Sequence, residues 1–348
     1  MMKVAIVILN WNGRHMLERF LPSVVQHCPD FAEVIIADNG SSDDSIPFLR
    51  QHYPTLRLIL HDKNYGFADG YNKALAQVDA DYFVLLNDDV EVSHGWVEKV
   101  VSLMDNDPSI AVAQPKLLMY DSRQTFEYAG GAGGFIDKLG YPFCRGRIFG
   151  TLEADTRQYD DCREVFWASG AAMFVRASVW RELGGLDGDF FAHMEEIDFC
   201  WRCKNKGYKA VCCPDATVYH VGGGTLPKSS PFKTQLNFRN NLAMLYKNLP
   251  HNRLHRVIAL RFVLDWVAAL SFLLKGNAGE CRAVFKAHKE FRQWKPSLAE
   301  KRGKLNPHEV SCVYQRSILV DYHLLSRRTF RQLPQEKFLA DSSTTSRK

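Results

Sequence analysis

The sequence predicts an α/β domain built on a mostly parallel sheet, and three observations carry that expectation. Short apolar runs alternate with segments of helical period four times in the first 120 residues. Polar residues close those runs at their C-terminal ends: Asn10, then Asp38 with Asn39, then Asn87 to Asp89. Hydrophobic residues make up 46% of the 348, enough for a substantial core and too many for a disordered chain. Successive strand–helix units give a parallel sheet covered by helices. Open sheets of this kind bind ligands beyond the carboxyl ends of their strands.

The elements follow in order. KVAIVIL, EVIIADN, LRLIL and YFVLLND read as strands, each a short apolar run bounded by polar residues. GRHMLERFLPSVVQH, DDSIPFLRQH, GFADGYNKALAQ and HGWVEKVVSLMDN between and after them read as helices. From Tyr120 to about Asp161 the periods fade into Gly-rich and aromatic sequence, YAGGAGGFIDKLGYP included, which predicts a long loop. EVFWASGAAMFVRASVWRELGG then predicts a strand, a bend, a strand and a helix closed by Gly184 and Gly185. HMEEIDFCWRCKNKG predicts a short helix, and YKAVCC and ATVYH two strands. Beyond Gly224 the chain turns helical, from KTQLNFRNNLAMLYKNL to about Trp294. One domain is expected over residues 1–248, in halves 1–119 and 120–248, then a basic helical extension over 249–330 and a disordered tail over 331–348.

Charge is uneven along the chain. The formal net charge is +5, yet Pro250 to Lys304 alone holds 12 Lys or Arg against 4 Asp or Glu. The C-terminal third therefore asks for an anionic partner or surface. Nine scattered cysteines do not form a disulfide framework, and MMKVAIVILN is too short for a signal peptide's apolar region, so a cytoplasmic setting is expected. No GxGxxG follows a strand and no P-loop is present, which removes the dinucleotide and Walker-type readings. Cys200 and Cys203 with Cys212 and Cys213 lack zinc spacing and read as buried thiols. No nucleic-acid partner is expected.

Asp88 and Asp89 have two readings. Acidic residues at a strand end can cap the next helix, or they can hold a hard divalent cation that bridges to phosphate oxygens. Seven stretches in order bear on the choice: VAIVILNWNG, IIADNGSSDDS, NYGFADGYNKAL, FVLLNDDVEV, FWASGAAMFVRASVWRELGGLDGDFF, HMEEIDFCWRCKNKGYK and VYHVGGGT. Together, over roughly residues 3 to 245, they resemble the family 2 glycosyltransferases, inverting enzymes of the GT-A nucleotide-diphospho-sugar transferase fold, and more narrowly the bacterial rhamnosyltransferase-like members.

The resemblance implies a set of roles. Asp38 and the backbone around Asn10 would meet the nucleobase, with Asn64 and Asn72 bordering the nucleotide, though capping and helix-face polarity account for Asn72 equally well. Asn87-Asp88-Asp89 would stand at the family's Asp-x-Asp position, with Asn87 and Asp88 toward the donor and Asp89 on a Mg²⁺ or Mn²⁺; Asn87 brings no charge to it. His220 would complete the metal shell or serve structurally. Glu196, with Glu195 as the alternative, would be the base that takes the acceptor's proton, where the family usually has Glu-Asp. Trp167, Ser169 and Gly170 would line the acceptor pocket, and Arg202 and Arg239 would neutralise the diphosphate. The implied activity is transfer of a UDP- or dTDP-linked sugar to a glycan or lipid-linked glycan in surface polysaccharide synthesis. The rivals are a sugar-nucleotidyltransferase, whose repeated phosphate-loop glycines NWNGRHML lacks, and a non-catalytic binding protein of the same fold. RLHRVIALRFVLDWVAALSFLLKG carries cations at both ends, and Arg261 and Asp265 stand four apart to pair across one turn. It reads as an interfacial helix on an anionic membrane or as a helix packed on the domain or in a homodimer.

Overall fold

The computed structural model describes residues 2–222 and 230–340. The end of the VYHVGGGT motif, within residues 223–229, and the tail at 341–348 lie outside the described residues.

The first half follows the expected alternation: β1 (Val4–Asn10), α1 (Arg14–Gln26), β2 (Ala32–Asp38), α2 (Ser45–His52), β3 (Arg57–Leu60), α3 (Gly66–Leu75), β4 (Tyr82–Asn87), a short β5 (Val90–Val92) and α4 (Trp96–Asn106). A further strand, β6 (Ile110–Met119), was not expected; it contains Pro115 and is buried over nine of its ten residues. β1 is apolar on both faces because both are covered. Val4, Ile6 and Ile8 join Leu17, Leu21 and Val24 of α1 and Val97 of α4 in one core, while Ala5 and Val7 join Tyr71 and Ala74 of α3 in the other. Such double burial is the mark of a central parallel strand.

The presumed loop from Tyr120 to Asp161 instead contains β7 (Gly134–Asp137), β8 (Pro142–Cys144), β9 (Arg147–Ile148) and β10 (Thr151–Leu152). At two to four residues each, these strands are too short to show a period of two. Next come β11 (Arg163–Val165), β12 (Ala172–Arg176), α5 (Ala177–Leu183), α6 (Glu195–Asn205) and β13 (Lys209–His220). The two strands expected at YKAVCC and ATVYH are one, with a register shift between Cys213 and Thr217. The main sheet runs β11-β13-β6-β12-β4-β1-β2-β3, with β5 paired to β13.

Helices α7 (Pro231–Asn248), α8 (His251–Leu274) and α9 (Ala278–Gly303) follow, then β14 (Val313–Tyr314) and α10 (Ile318–His323). β14 pairs with β7 and so completes a second, five-stranded sheet. Asp137 on β7 accepts backbone bonds from Leu139, Tyr141 and Ile318, each 2.9 Å, which ties the late chain to the middle of the sequence. Disorder was expected from residue 331, but Leu333 is buried, and the Phe338 ring packs 4.9 Å from Tyr314 and 5.3 Å from Phe330. Residues 331–340 thus belong to the fold.

Candidate active site

Parallel register aligns the polar strand ends. Asn10 stands opposite Asp38, and Leu9 opposite Asn87. Asn10 Nδ2 donates to Asp38 Oδ1 at 2.8 Å and to Ser41 Oγ at 3.1 Å, while Asp38 Oδ2 accepts from the Ser41 amide at 2.9 Å. Asn12, in the left-handed region at φ 53°, accepts from the Ser42 amide at 2.7 Å, and the Arg14 amide donates to Asp43 at 3.0 Å. These bonds lace the β1–α1 loop to the β2–α2 loop beyond the sheet edge. A side chain at Gly13 would displace its neighbours, because a Cβ would strike the Asp88 carboxyl and lie 2.6 Å from Asn10 Oδ1. That Asn10 oxygen is buried and has no partner among the described residues, an open acceptor among polar groups. Asn12, Ser41 and Asp43 were not singled out from the sequence, although they lie in two of the stretches that carry the resemblance, VAIVILNWNG and IIADNGSSDDS.

At the next strand end, Asp89 is buried and its Oδ1 lies 3.0 Å from His220 Nε2. The other ring nitrogen of His220 is 3.3 Å from Glu127 Oε1, and Asn87 Nδ2 is 3.4 Å from Nε2. Burial opposes a charge on His220, but Asp89 and then Glu127 outweigh it and push its pKa up to about 10. Burial likewise works against the Asp89 carboxylate, and His220 nevertheless holds its pKa below the usual value. Asp88 makes no such ion pair among the described residues: burial, with Asp89 beside it, outweighs His220 and pushes its carboxyl up to about 8. Beside an ionised Asp89, Asp88 resists taking a second negative charge. Glu127 lies outside every motif, and nothing in its sequence context marked it.

The third part of the site is the start of α6. Phe191, His193 and Met194 just before it take φ values of 65°, 70° and 74°. Left-handed conformations at non-glycine residues cost on the order of 1 kcal/mol or more each and persist only where the surroundings impose them. Here Asn240 of α7 imposes them, its Nδ2 donating to the carbonyls of Phe190 (3.0 Å), Ala192 (2.8 Å) and His193 (2.8 Å). The Phe191 carbonyl accepts from the Phe67 amide in the first turn of α3 at 2.7 Å. This loop delivers Glu195 and Glu196 with one carboxylate oxygen each buried and without a partner among the described residues. Burial raises Glu196 to about 7, and burial, then Glu196, raises Glu195 well above the ordinary range. A Cβ placed on Gly170 would lie 4.0 Å from that of Glu196, and the neighbouring Ala171 carbonyl accepts from the Asn87 amide at 3.0 Å. The acidic strand end and the glutamate pair therefore flank the Gly170 segment.

Several expected ligand contacts are taken up inside the protein. Asn72 binds both the amide and the carbonyl of Leu186, at 2.9 and 2.8 Å. Asn64 Oδ1 accepts from the Gly66 amide at 2.7 Å and thereby shapes the entry to α3. Trp167 is buried, donates to the Phe135 carbonyl at 3.1 Å and covers Gly134, so it presents no face to a sugar. Ser169 is buried as well, its amide donating to Gln114 at 2.9 Å. Arg202 bonds Asp198 and the carbonyls of Leu183 and Gly185 at 2.7–2.9 Å, which commits it to the α5–α6 corner. Arg239 bonds Asn240 and the Phe190 carbonyl and so supports the glutamate loop. Aromatic rings open to solvent beside the site include Trp11, next to Asn10, Tyr128, next to Glu127, and Phe191 in the loop before α6.

Comparison with known sequences decides the family. The profile of Glycosyl transferase family 2 matches residues 5–128, and that of Glycosyl transferase family group 2 matches residues 82–236. This chain is a family 2 glycosyltransferase. The glycosyltransferase is 28% identical over 231 residues to the N-acetylglucosaminyl-diphospho-decaprenol L-rhamnosyltransferase of Mycobacterium tuberculosis, covering 62% of this chain and 75% of the relative. Among solved structures it is similar to residues 1–349 of S. aureus TarS in complex with UDP, with a TM-score of 0.55 at 15% identity, covering 87% of this chain and 88% of the other. It is also similar to GalNAc-T7 with UDP, GalNAc and Mn²⁺, with a TM-score of 0.57 at 15% identity; the match covers 72% of this glycosyltransferase and about half, 49%, of that chain. The fold is accordingly GT-A, with the C-terminal helices added to it.

Proposed function

We propose that this glycosyltransferase moves a sugar from a nucleoside diphosphate to a hydroxyl of a lipid-linked glycan, with inversion at the anomeric carbon, in surface polysaccharide synthesis. The observation that carries the reading is the Glu196 carboxyl beside Gly170, its Oε2 buried and without a partner among the described residues, one residue from the backbone that pairs with Asn87. The acceptor class is supported by the name of the mycobacterial relative, and a UDP-type donor by the TarS complex.

The donor's base and ribose would lie along Asn10 and Asp38, where the open Asn10 oxygen awaits a donor group. The diphosphate would lie at Asn87 to Asp89. A Mg²⁺ or Mn²⁺ there would be held by Asp89 and His220, as the Mn²⁺ in GalNAc-T7 suggests. The donor set fits such an ion, a carboxylate beside an imidazole; an ion there would take the place of the His220 proton that now pairs with Asp89 Oδ1 at 3.0 Å. No group of three or more His, Cys, Asp or Glu forms a ready-made cage among the described residues, and phosphate oxygens would have to supply the remaining ligands. When bound, the ion would offset the charge that builds on the departing diphosphate.

In the reaction, Glu196 accepts the proton of the acceptor hydroxyl. The freed oxygen bonds to the anomeric carbon, and the bond from that carbon to the diphosphate oxygen breaks with its electron pair on the leaving nucleotide. A carboxyl whose pKa lies near 7 is well matched to this exchange. Tyr128 offers the flat, solvent-open ring that Trp167 does not, with Arg147 4.3 Å behind it. Water in place of the acceptor gives a direct test. In slow hydrolysis of UDP- and dTDP-sugars followed by NMR, the sugar first released is expected to have the opposite anomeric configuration to the donor. Release with retained configuration would contradict single displacement by a Glu196-activated hydroxyl.

A further inference from the structure

Helix α8 is built inside out. Its only charged residues between Val257 and Leu274 are Arg261 and Asp265, and both are buried. Arg261 bonds the Leu139 carbonyl at 3.0 Å and the Asn241 side chain, while Asp265 lies 3.4 Å from Arg261 and 3.1 Å from His288. The solvent side, by contrast, carries Leu260, Val263, Trp266, Val267, Leu270 and Leu274, exposed by 45% to 79%. Steps of three and four residues put most of these on one continuous stripe. Alongside, every exposed charge of α9 from 281 to 295 is positive, including Arg282, Lys286, Lys289 and Arg292. The Arg292 guanidinium lies 5.5 Å from the Phe262 ring, which places this basic row at the edge of α8.

We propose that α8 lies in the plane of an anionic lipid bilayer, its apolar stripe among the acyl chains and the α9 row on the headgroups. Apolar burial together with Lys and Arg on acidic lipid is what holds an interfacial helix. By length and composition α8 is also able to cross a membrane. Its other face, however, is fastened through Arg261 and Asp265 to residues of α7, α9 and the β7–β8 turn, so only one side is free for lipid. A second copy of the chain would also cover the stripe. A two-fold contact presents the same patch from both partners, so it would set one Lys and Arg row against another, whereas an acidic bilayer neutralises the row.

The surface is coupled to the site by neighbouring residues. Asn241 bonds Arg261 of α8, and Asn240 holds the carbonyls of the loop that carries Glu195 and Glu196. Docking would therefore set the glutamate pair at a fixed orientation to the membrane plane, where a lipid-linked hydroxyl is presented. The lipid contact itself does not depend on the proposed transfer reaction and is tested without nucleotide.

The test is flotation of the full-length protein with vesicles of phosphatidylcholine alone or mixed with phosphatidylglycerol, alongside light scattering for oligomeric state. The protein is expected to float with the phosphatidylglycerol vesicles, to be released by high salt and to bind neutral vesicles weakly. Val267→Glu combined with Leu270→Glu, and separately Lys286→Glu combined with Lys289→Glu, are each expected to cut the floated fraction about tenfold or more. These positions are exposed, so circular dichroism and the unfolding midpoint should not move. The proposal is overturned if nothing floats, if neutral and acidic vesicles bind equally, or if the first pair of substitutions dissociates a dimer that never floats.

Discussion

Asp89→Ala is expected to lower sugar transfer about a thousandfold, the scale on which removal of a preorganised electrostatic contact to the transition state acts. Two effects combine. The substitution removes the carboxylate proposed to hold the cation, and it leaves His220 with Glu127 as its remaining anionic contact. The His220 pKa, held near 10 chiefly by Asp89, should then fall toward its ordinary value. An NMR titration of the His220 ring reads this change independently of activity. Asp89→Asn should act similarly, because the charge is what matters at this position. Asp88→Asn should cost less: burial and Asp89 already push the Asp88 carboxyl to about 8, so much of it is neutral before the substitution. Equal losses from both substitutions would contradict this division of roles.

Glu196→Gln is expected to lower kcat by a factor of about 10² to 10⁴, the usual contribution of a general base, with donor binding unchanged. The native enzyme supplies a second reading. Burial holds Glu196 near 7, so kcat/KM should rise with pH up to about 7 and then level off, and the limb should be absent in the variant. The linkage to stability has the opposite sign. A carboxyl with a folded pKa above its unfolded 4.5 binds a proton more tightly when folded, so its contribution to stability is present at low pH and lost as pH rises through about 7. Glu196→Gln should therefore unfold at a higher temperature than the native protein at pH 8 and show little of that gain at pH 4. Glu195→Gln separates the pair. If that variant abolishes turnover while Glu196→Gln does not, the base is Glu195.

The sequence disclosed most where periodicity and strand ends coincide. The sheet core of β1, β2 and β4 and the polar row at its edge were legible because a buried parallel strand is apolar throughout and its polar terminus stands out. What was missed has physical reasons. β7 to β10 are shorter than one readable period, and β6 passes through Pro115. Glu127 lies in a loop and acquires its meaning from His220, 93 positions later, which no local pattern conveys. Asn72, Trp167, Arg202 and Arg239 were given ligand roles on the strength of motif position, but their partners are backbone groups and neighbouring side chains set by tertiary folding. Asn240 shows the reverse: an unremarked amide on α7 that shapes the loop carrying the glutamates. The C-terminal residues to 340 read as polar and irregular, yet their few aromatic side chains complete the second sheet's core.

The most direct test of the donor site is calorimetric titration of UDP, dTDP and GDP into native protein and Asp89→Ala, with and without Mn²⁺. The account predicts that one nucleotide binds the native protein more tightly with Mn²⁺, and that the variant loses the metal's effect. Nucleotide binding of equal strength with and without the ion, unchanged by Asp89→Ala, would contradict the placement of the diphosphate at Asn87 to Asp89.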